Sequence, residues 1–339
     1  MKHRLLLLGF LFVLMGCDVK REVNKPIGGS IYHWKSTYDP DSTSLEKLDQ
    51  LKICKQYIRF FDVDRDKESG EAVPRSIVRF RKHPAGEVVP VVYLTNRTFK
   101  DLNPEKVKKL ASNTIIKINE IADLNKLNYK SLQLDCDWSR STKEAYFNFL
   151  KEIQKALPGV SVSATLRLHQ IKFMEQTGVP PVDRTTLMLY NVGDWTNPLT
   201  QNSLFDPQII DQYIYRIPEY PLPIDIALPI FQQTLVYRND KLYTFLKNKP
   251  YAAVSEAVNL KPQKKAETYV CEENCRFLNI SFRKGDVFRF ESVNFDQLER
   301  VNDAVLQRLH NNDAELVLYH LDKFALSQFS QNQLRELLN

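Results

Sequence analysis

Two carboxylates, Asp135 and Asp137, lie one residue apart in the run Leu132-Gln133-Leu134-Asp135-Cys136-Asp137-Trp138-Ser139. At that spacing on a strand, two side chains leave the same side of the backbone about 6.6 Å apart. This permits acid–base work of the glycosidase kind, in which one carboxyl keeps its proton and the other stays ionised. If the chain is an enzyme, Asp137 or Asp135 acts with a further carboxyl. Asp194 is the first candidate and Asp62, Asp64 and Asp322 are the reserves. Arg167 and His169 close a second alternating run. Either they face a ligand beside the aspartates, or Arg167 neutralises Asp135 within a polar interior, since burying such charges unpaired costs several kcal/mol. The three tryptophans, Trp34, Trp138 and Trp195, each fall at or just after an apolar run. Aromatic faces beside hydrogen-bonding groups suit sugars, whose C–H faces stack while their hydroxyls need donors and acceptors. A metal site built from Asp135, Asp137 and His169 with His33 or His320 is a rival, but no H-E-x-x-H spacing occurs and no cofactor is expected. Serine nucleophile chemistry lacks its G-x-S-x-G turn.

These residues need strands to aim them, and the chain supplies eight candidates: Gly29 to Trp34, Tyr57 to Asp64, Val88 to Asn96, Ser131 to Trp138, Val160 to His169, Thr186 to Asn191, Ile224 to Phe231 and Glu315 to Leu321. Helical patterns lie between most of them. One runs from Pro104 to about Leu124; another has a capping box at Ser141 and Glu144, an apolar face of Tyr146, Phe149, Leu150, Ile153 and Leu157, and a stop at Pro158-Gly159. Eight strands with intervening helices predict an α/β fold, the (β/α)8 TIM barrel, with the active site at the C-terminal strand ends. A doubly wound sheet is the runner-up, weakened because Tyr32-His33-Trp34-Lys35 stands where a glycine-rich phosphate loop would follow the first strand. In the fourth and fifth strands Gln133, Asp135 and Asp137, and Ser161, Ser163, Thr165, Arg167 and His169, alternate with apolar residues, so the polar sets are expected to point inward. Residues 232–293 are too long for one crossover and predict a small α+β insertion after the seventh strand, with a hairpin turn at Arg283-Lys284-Gly285-Asp286. The barrel then occupies 28–231 and 294–339.

Residues 1–16 read as a signal peptide, with Lys2, His3 and Arg4 before an apolar run from Leu5 to Met15 that is too short to span a bilayer. Leu14-Met15-Gly16-Cys17 is similar to a bacterial lipobox, which implies an acylated Cys17, a tether over 17–27 and a membrane-anchored place in the cell envelope. In an exported chain disulfides persist, and Cys271 and Cys275 flank the turn-like Glu272-Glu273-Asn274, so a bridge between them is open; Cys54 and Cys136 fit buried apolar positions. Of 339 residues, 43% are hydrophobic and 26% charged, a globular composition. The formal charge of +6 carries no run of five consecutive Lys or Arg, which argues against a nucleic-acid partner.

The Asp135-to-Ser139 segment resembles the fourth-strand D-x-D-x-E motif of chitinase-like family 18 glycoside hydrolases, and Asn148-Phe149 follows in the helix as it does there. Met188-Leu189-Tyr190-Asn191 resembles the sixth-strand Met-x-Tyr-Asp of that group, with Asn191 in place of the Asp. The resemblance implies a TIM barrel, a glycan or oligosaccharide ligand, supporting roles for Asp135 and Asp137, and contact of Tyr190 and Asn191 with substrate. It departs at the decisive position: Ser139 stands where the family carries the Glu that protonates the leaving group, and a serine hydroxyl is no general acid near neutral pH. Arg167-Leu168-His169-Gln170 and the stretch from Gly178 to Arg184 also resemble barrel-type bacterial lipoproteins without an assigned activity. Three functions follow as expectations: a glycoside-hydrolase-like lipoprotein acting on a polysaccharide or cell-envelope glycan, a glycan-binding barrel that has lost its acid, or an envelope assembly component with protein partners.

Overall fold

The computed structural model describes residues 29–338; the signal segment, Cys17 and the 17–27 tether lie outside them. Eight parallel strands close into a barrel: β1 Gly29–His33, β2 Lys55–Arg65, β3 Glu87–Leu94, β4 Ser131–Asp135, β5 Ser161–Arg167, β6 Arg184–Met188, β7 Ile224–Pro229 and β8 Leu316–Tyr319. Each pairs with the next, and β1 lies between β8 and β2. Helices α1 Ser42–Gln50, α2 Pro104–Leu124, α3 Lys143–Ala156, α4 Leu168–Lys172, α5 Pro207–Ile214 and α6 Phe295–Leu306 follow β1, β3, β4, β5, β6 and the insertion in turn. The β2–β3 link has no helix; the short strand Ala72–Arg75 folds back antiparallel onto β2 instead. This is a (β/α)8 TIM barrel with an insertion after the seventh strand.

Local chemistry sets the helix ends. Asn103 caps α2 by accepting from the Lys106 N–H at 2.8 Å, and Pro104 opens its first turn. Val107, Leu110, Ile118 and Ile121 then form its buried stripe, each worth about 1.5–3 kcal/mol of apolar burial. For α3 the expected capping box does not form. The helix starts at Lys143 after Thr142, and the Ser141 hydroxyl meets that of Ser139 at 3.0 Å. Its inner face of Tyr146, Phe149, Leu150 and Ile153 is buried as the spacing requires.

Inside the barrel the inward polar residues satisfy one another. The Tyr32 hydroxyl donates to Gln133 Oε1 at 2.6 Å, and Gln133 Nε2 donates to Thr186 Oγ1 at 2.9 Å. At the N-terminal end Arg184 forks onto the buried Asp225 at 2.7 and 2.8 Å, and Asp225 also accepts the Glu315 N–H. Lys55 and the Tyr57 hydroxyl both reach Glu315, which ties β2 to the chain entering β8. This end serves stability, as is usual for the fold.

β2 carries a bulge: its register against β3 shifts between Arg59 and Phe61, and the Phe60 carbonyl accepts from the Val78 N–H at 2.7 Å. One extra residue reverses the side-chain alternation beyond it. Arg59 and Asp62 therefore share the inner side and pair at 3.2 Å.

In the insertion, Gln233–Arg238 turns at Asn239 and Asp240, both in the left-handed region, into Lys241–Lys247. These two strands join Val287–Glu291, Thr268–Cys271 and Leu260–Pro262 in one antiparallel sheet. Its junction with the barrel is a buried knot: Arg289 Nε donates to Glu291 at 2.9 Å, and Glu291 accepts from the Ser203 hydroxyl and N–H and from Gln233 Nε2. Arg283 to Asp286 does turn, but it links Ile280–Phe282 to Val287–Glu291, strands of different sheets, so it is not a hairpin. Cys271 and Cys275 likewise end and begin strands of different sheets and are free thiols, with Cys271 Sγ donating to the Glu273 carbonyl. Cys136 is buried, but Cys54 is exposed in the turn before β2, where only its carbonyl is engaged, by the Glu87 N–H.

Candidate functional site

The C-terminal mouth of the barrel holds three adjoining cavities of about 460, 430 and 280 Å³, all lined by Asn191 and Lys247. Asn191 follows β6 in the left-handed conformation, which Asn tolerates better than most residues, and its N–H bonds the Leu204 carbonyl at 2.7 Å. That turn carries the following loop across the mouth.

Asp137, Arg167, His169, Tyr190, Asn191 and Trp195 line the 460 Å³ cavity together. Arg167 Nε donates to Asp137 Oδ1 at 2.7 Å, and its Nη2 reaches Oδ2 at 3.4 Å. The pair lies at the end of adjacent strands, with about half of the Asp137 side chain exposed. Partial burial holds the His169 imidazole below its ordinary range, opposed by Asp137 and assisted by Arg167. Trp195 is 44% exposed; its carbonyl accepts from the Tyr237 hydroxyl at 2.8 Å, which fastens the loop to the insertion.

Asp135 sits deeper and lines the smallest cavity with Trp34, Arg59, Asp62, Tyr93 and Tyr319. It is 3% exposed and accepts from the Thr165 hydroxyl at 2.6 Å. Burial pushes its carboxyl up to about 7, and the Asp137 charge adds to the rise, while Arg167 opposes it. Asp62 is also raised, by burial, against the pull of Arg59. The Tyr319 ring stands between Trp34, at 5.8 Å, and Tyr190, at 4.8 Å. The Tyr190 hydroxyl is buried and, among the described residues, has no hydrogen-bond partner.

The remaining expected site residues lie elsewhere. Trp138 is 1% exposed, stacked on Tyr146 of α3 with ring centroids 5.3 Å apart, and its Nε1 donates to the Thr177 carbonyl at 2.9 Å. It belongs to the layer between strand and helix and cannot stack on a ligand. Asp194 lies in the exposed loop after β6, accepts from the Thr196 hydroxyl and N–H, and lines none of the three cavities. Asp64 is tied to Arg97, which holds its carboxyl well below the usual range. Asp322 lines the middle cavity, pairs with Lys35 and caps the helix Lys323–Ser327. Ser139 lines none of the three cavities either; its hydroxyl meets those of Ser141 and Thr142. Among the described residues no three His, Cys, Asp or Glu side chains are gathered for a metal ion.

No protein-family model and no curated protein matches the chain. Solved structures do. A chitinase from Chromobacterium violaceum superposes with a TM-score of 0.55 at 10% identity, covering 92% of this chain and 99% of that one. The spore cortex-lytic enzyme SleL of Bacillus cereus gives 0.51 at 15% identity, over 93% of this chain and 75% of the other. YKL-39, solved in the presence of chitooligosaccharides, gives 0.50 at 8% identity, over 91% and 98%. The fold is a chitinase-like TIM barrel.

This chitinase-like barrel uses mouth residues that the sequence did not single out. Arg59 enters through the bulge, Tyr93 and Tyr319 through strand ends, and Gln233, Phe245 and Lys247 through the insertion. Only the strand-end positions of Tyr93 and Tyr319 carried a readable signal.

The Asp135 carboxyl makes stability depend on pH. Its folded value of about 7 lies above the unfolded value near 3.9, so the folded chain keeps a proton that the unfolded chain releases between them. The contribution is complete below about pH 4 and is lost as pH rises to about 7, a few kcal/mol in all. Urea unfolding at pH 4.5 and 7.5 is expected to show this loss in the unmodified protein and a flatter profile in Asp135→Asn. Identical slopes in the two proteins would contradict the raised carboxyl.

Proposed function

We propose that the protein is a glycan-binding barrel of the cell envelope, anchored by a lipid at Cys17 and holding a sugar chain across the C-terminal mouth. One observation carries the reading: Trp34 and Trp195 line adjoining cavities whose walls also present Asp137, Arg167, His169, Tyr190 and Asn191. Flat aromatic faces take the apolar side of a pyranose, and the polar groups take its hydroxyls. The structural neighbours named above, two of them glycan-degrading by name and one solved with chitooligosaccharides, support a saccharide as the ligand class.

Binding without hydrolysis by the family's route is the reading that position 139 favours. That route needs a carboxylic acid there to protonate the leaving group; the chain has Ser139, engaged with its neighbours and outside the cavities. A second reading, hydrolysis, is favoured by Asp135, whose carboxyl near 7 beside the Arg167-paired Asp137 has the division into acid and anion that such chemistry requires.

A panel of chitin-derived, peptidoglycan-derived, plant and algal glycans separates the two. The binding reading expects saturable affinity, weakened about ten-fold in Trp195→Ala, with no new reducing ends. Release of reducing ends that disappears in Asp135→Asn establishes hydrolysis instead. Absence of affinity for every glycan would reject the site as a saccharide site. For the anchor, Cys17→Ser is expected to move the protein from the detergent phase to the aqueous phase on phase separation; an unchanged partition would reject lipidation at that residue.

A further inference from the structure

The charges around the mouth do not balance. Arg59 is matched by Asp62, Arg167 by Asp137, and Lys35 by Asp322. Asp135 is the remaining carboxyl of the three cavities, and it is buried and already accepts from Thr165. Two cations are left over. Lys247 lines all three cavities and Lys249 lines the middle one, and among the described residues no carboxylate lies within ion-pair distance of either. The Lys249 ammonium lies over the face of Phe324, 5.4 Å from its centroid.

The position of Lys247 follows from the fold. It is the last residue of the returning hairpin strand and pairs in register with Gln233, whose side chain is held by Glu291 at the buried junction. The insertion thus presents this ammonium to the barrel opening, into the same 280 Å³ cavity that Arg59 lines from β2. Of the cations on that cavity, Arg59 and Arg167 pair with Asp62 and Asp137, and among the described residues Lys247 is the one without an ion pair. Among the described residues the buried Arg59 Nε–H has no acceptor, and Asp62 Oδ1 and the Tyr190 hydroxyl, on residues that line the same cavity, likewise have no hydrogen-bond partner. Buried donors without partners are rare in native proteins and mark places where a ligand completes the bonding.

We propose that the saccharide taken by this mouth is acidic, with a carboxylate or sulfate on the sugar seated between Lys247 and Arg59. The inference rests on the reading of the mouth as a glycan site and specifies its ligand. An acidic group there would supply the counter-charge that the exposed Lys247 lacks and a charge-assisted bond to the Arg59 guanidinium on the same cavity.

The test measures affinity of the purified protein for three size-matched oligosaccharides: neutral chitotetraose, a tetragalacturonate and a sulfated tetrasaccharide. An acidic ligand is expected to bind about ten-fold or more tightly than the neutral one at low ionic strength, with the preference shrinking as salt rises. Lys247→Gln is expected to remove most of that preference. Lys284→Gln, on an exposed turn that lines none of the three cavities, is the control for general surface charge. Which acidic ligand binds more tightly identifies the anion as carboxylate or sulfate. Neutral and acidic sugars bound equally, or a preference untouched by Lys247→Gln, would overturn the inference and leave the glycan site standing. Binding of none of the three would overturn the acidic ligand, and the wider glycan panel then decides the glycan site itself.

Discussion

Alternation along β4 turns Gln133, Asp135 and Asp137 into a closed barrel that has little room for water, so each must find its partner on another strand of the barrel. The three solutions differ with depth. Gln133 is fully buried and bonds Tyr32 and Thr186; Asp135 accepts from Thr165 and keeps a raised carboxyl; Asp137, half exposed at the rim, is held by Arg167. The same constraint that stabilises the interior therefore grades the floor of the mouth from neutral to ionised. Everything that a ligand meets there rests on this ladder.

Above the floor the insertion decides shape and charge. Its attachment buries Arg289, Glu291 and Ser203 together, and removing either charged partner would leave the other uncompensated in the interior. From that junction one hairpin places Phe245 beside Trp195, at 5.7 Å, and Lys247 over the barrel. The barrel supplies hydrogen-bonding groups and aromatic walls, while the insertion supplies the unpaired positive charge.

The fold was legible because each of its eight strands is an apolar run bounded by polar turns, and because α2 and α3 carry helical stripes of Val, Leu, Ile and aromatic residues. What failed has specific physical causes. Simple alternation places Arg59 and Asp62 on opposite sides of β2; the bulge at Phe60, which no residue type announces, brings them together. Trp138 was grouped with Trp34 and Trp195 by its place at a strand end, yet its position on the outward side of β4 commits it to the stack on Tyr146. Asp194 has the residue type of a catalytic group, but its short side chain is engaged in its own turn through Thr196. Lys247 depends on a long-range strand register, which local pattern does not encode.

In the proposed complex a sugar chain covers Trp34 and Trp195 while Trp138 stays within the core. Acrylamide quenching of tryptophan emission tests it directly, because the quencher reaches exposed indoles and not the buried one. A saturating oligosaccharide is expected to remove most of the quenchable emission and leave the buried component unchanged. Bound sugar with undiminished quenching of the exposed Trp195 and the half-buried Trp34 would place the ligand elsewhere and contradict the proposed site.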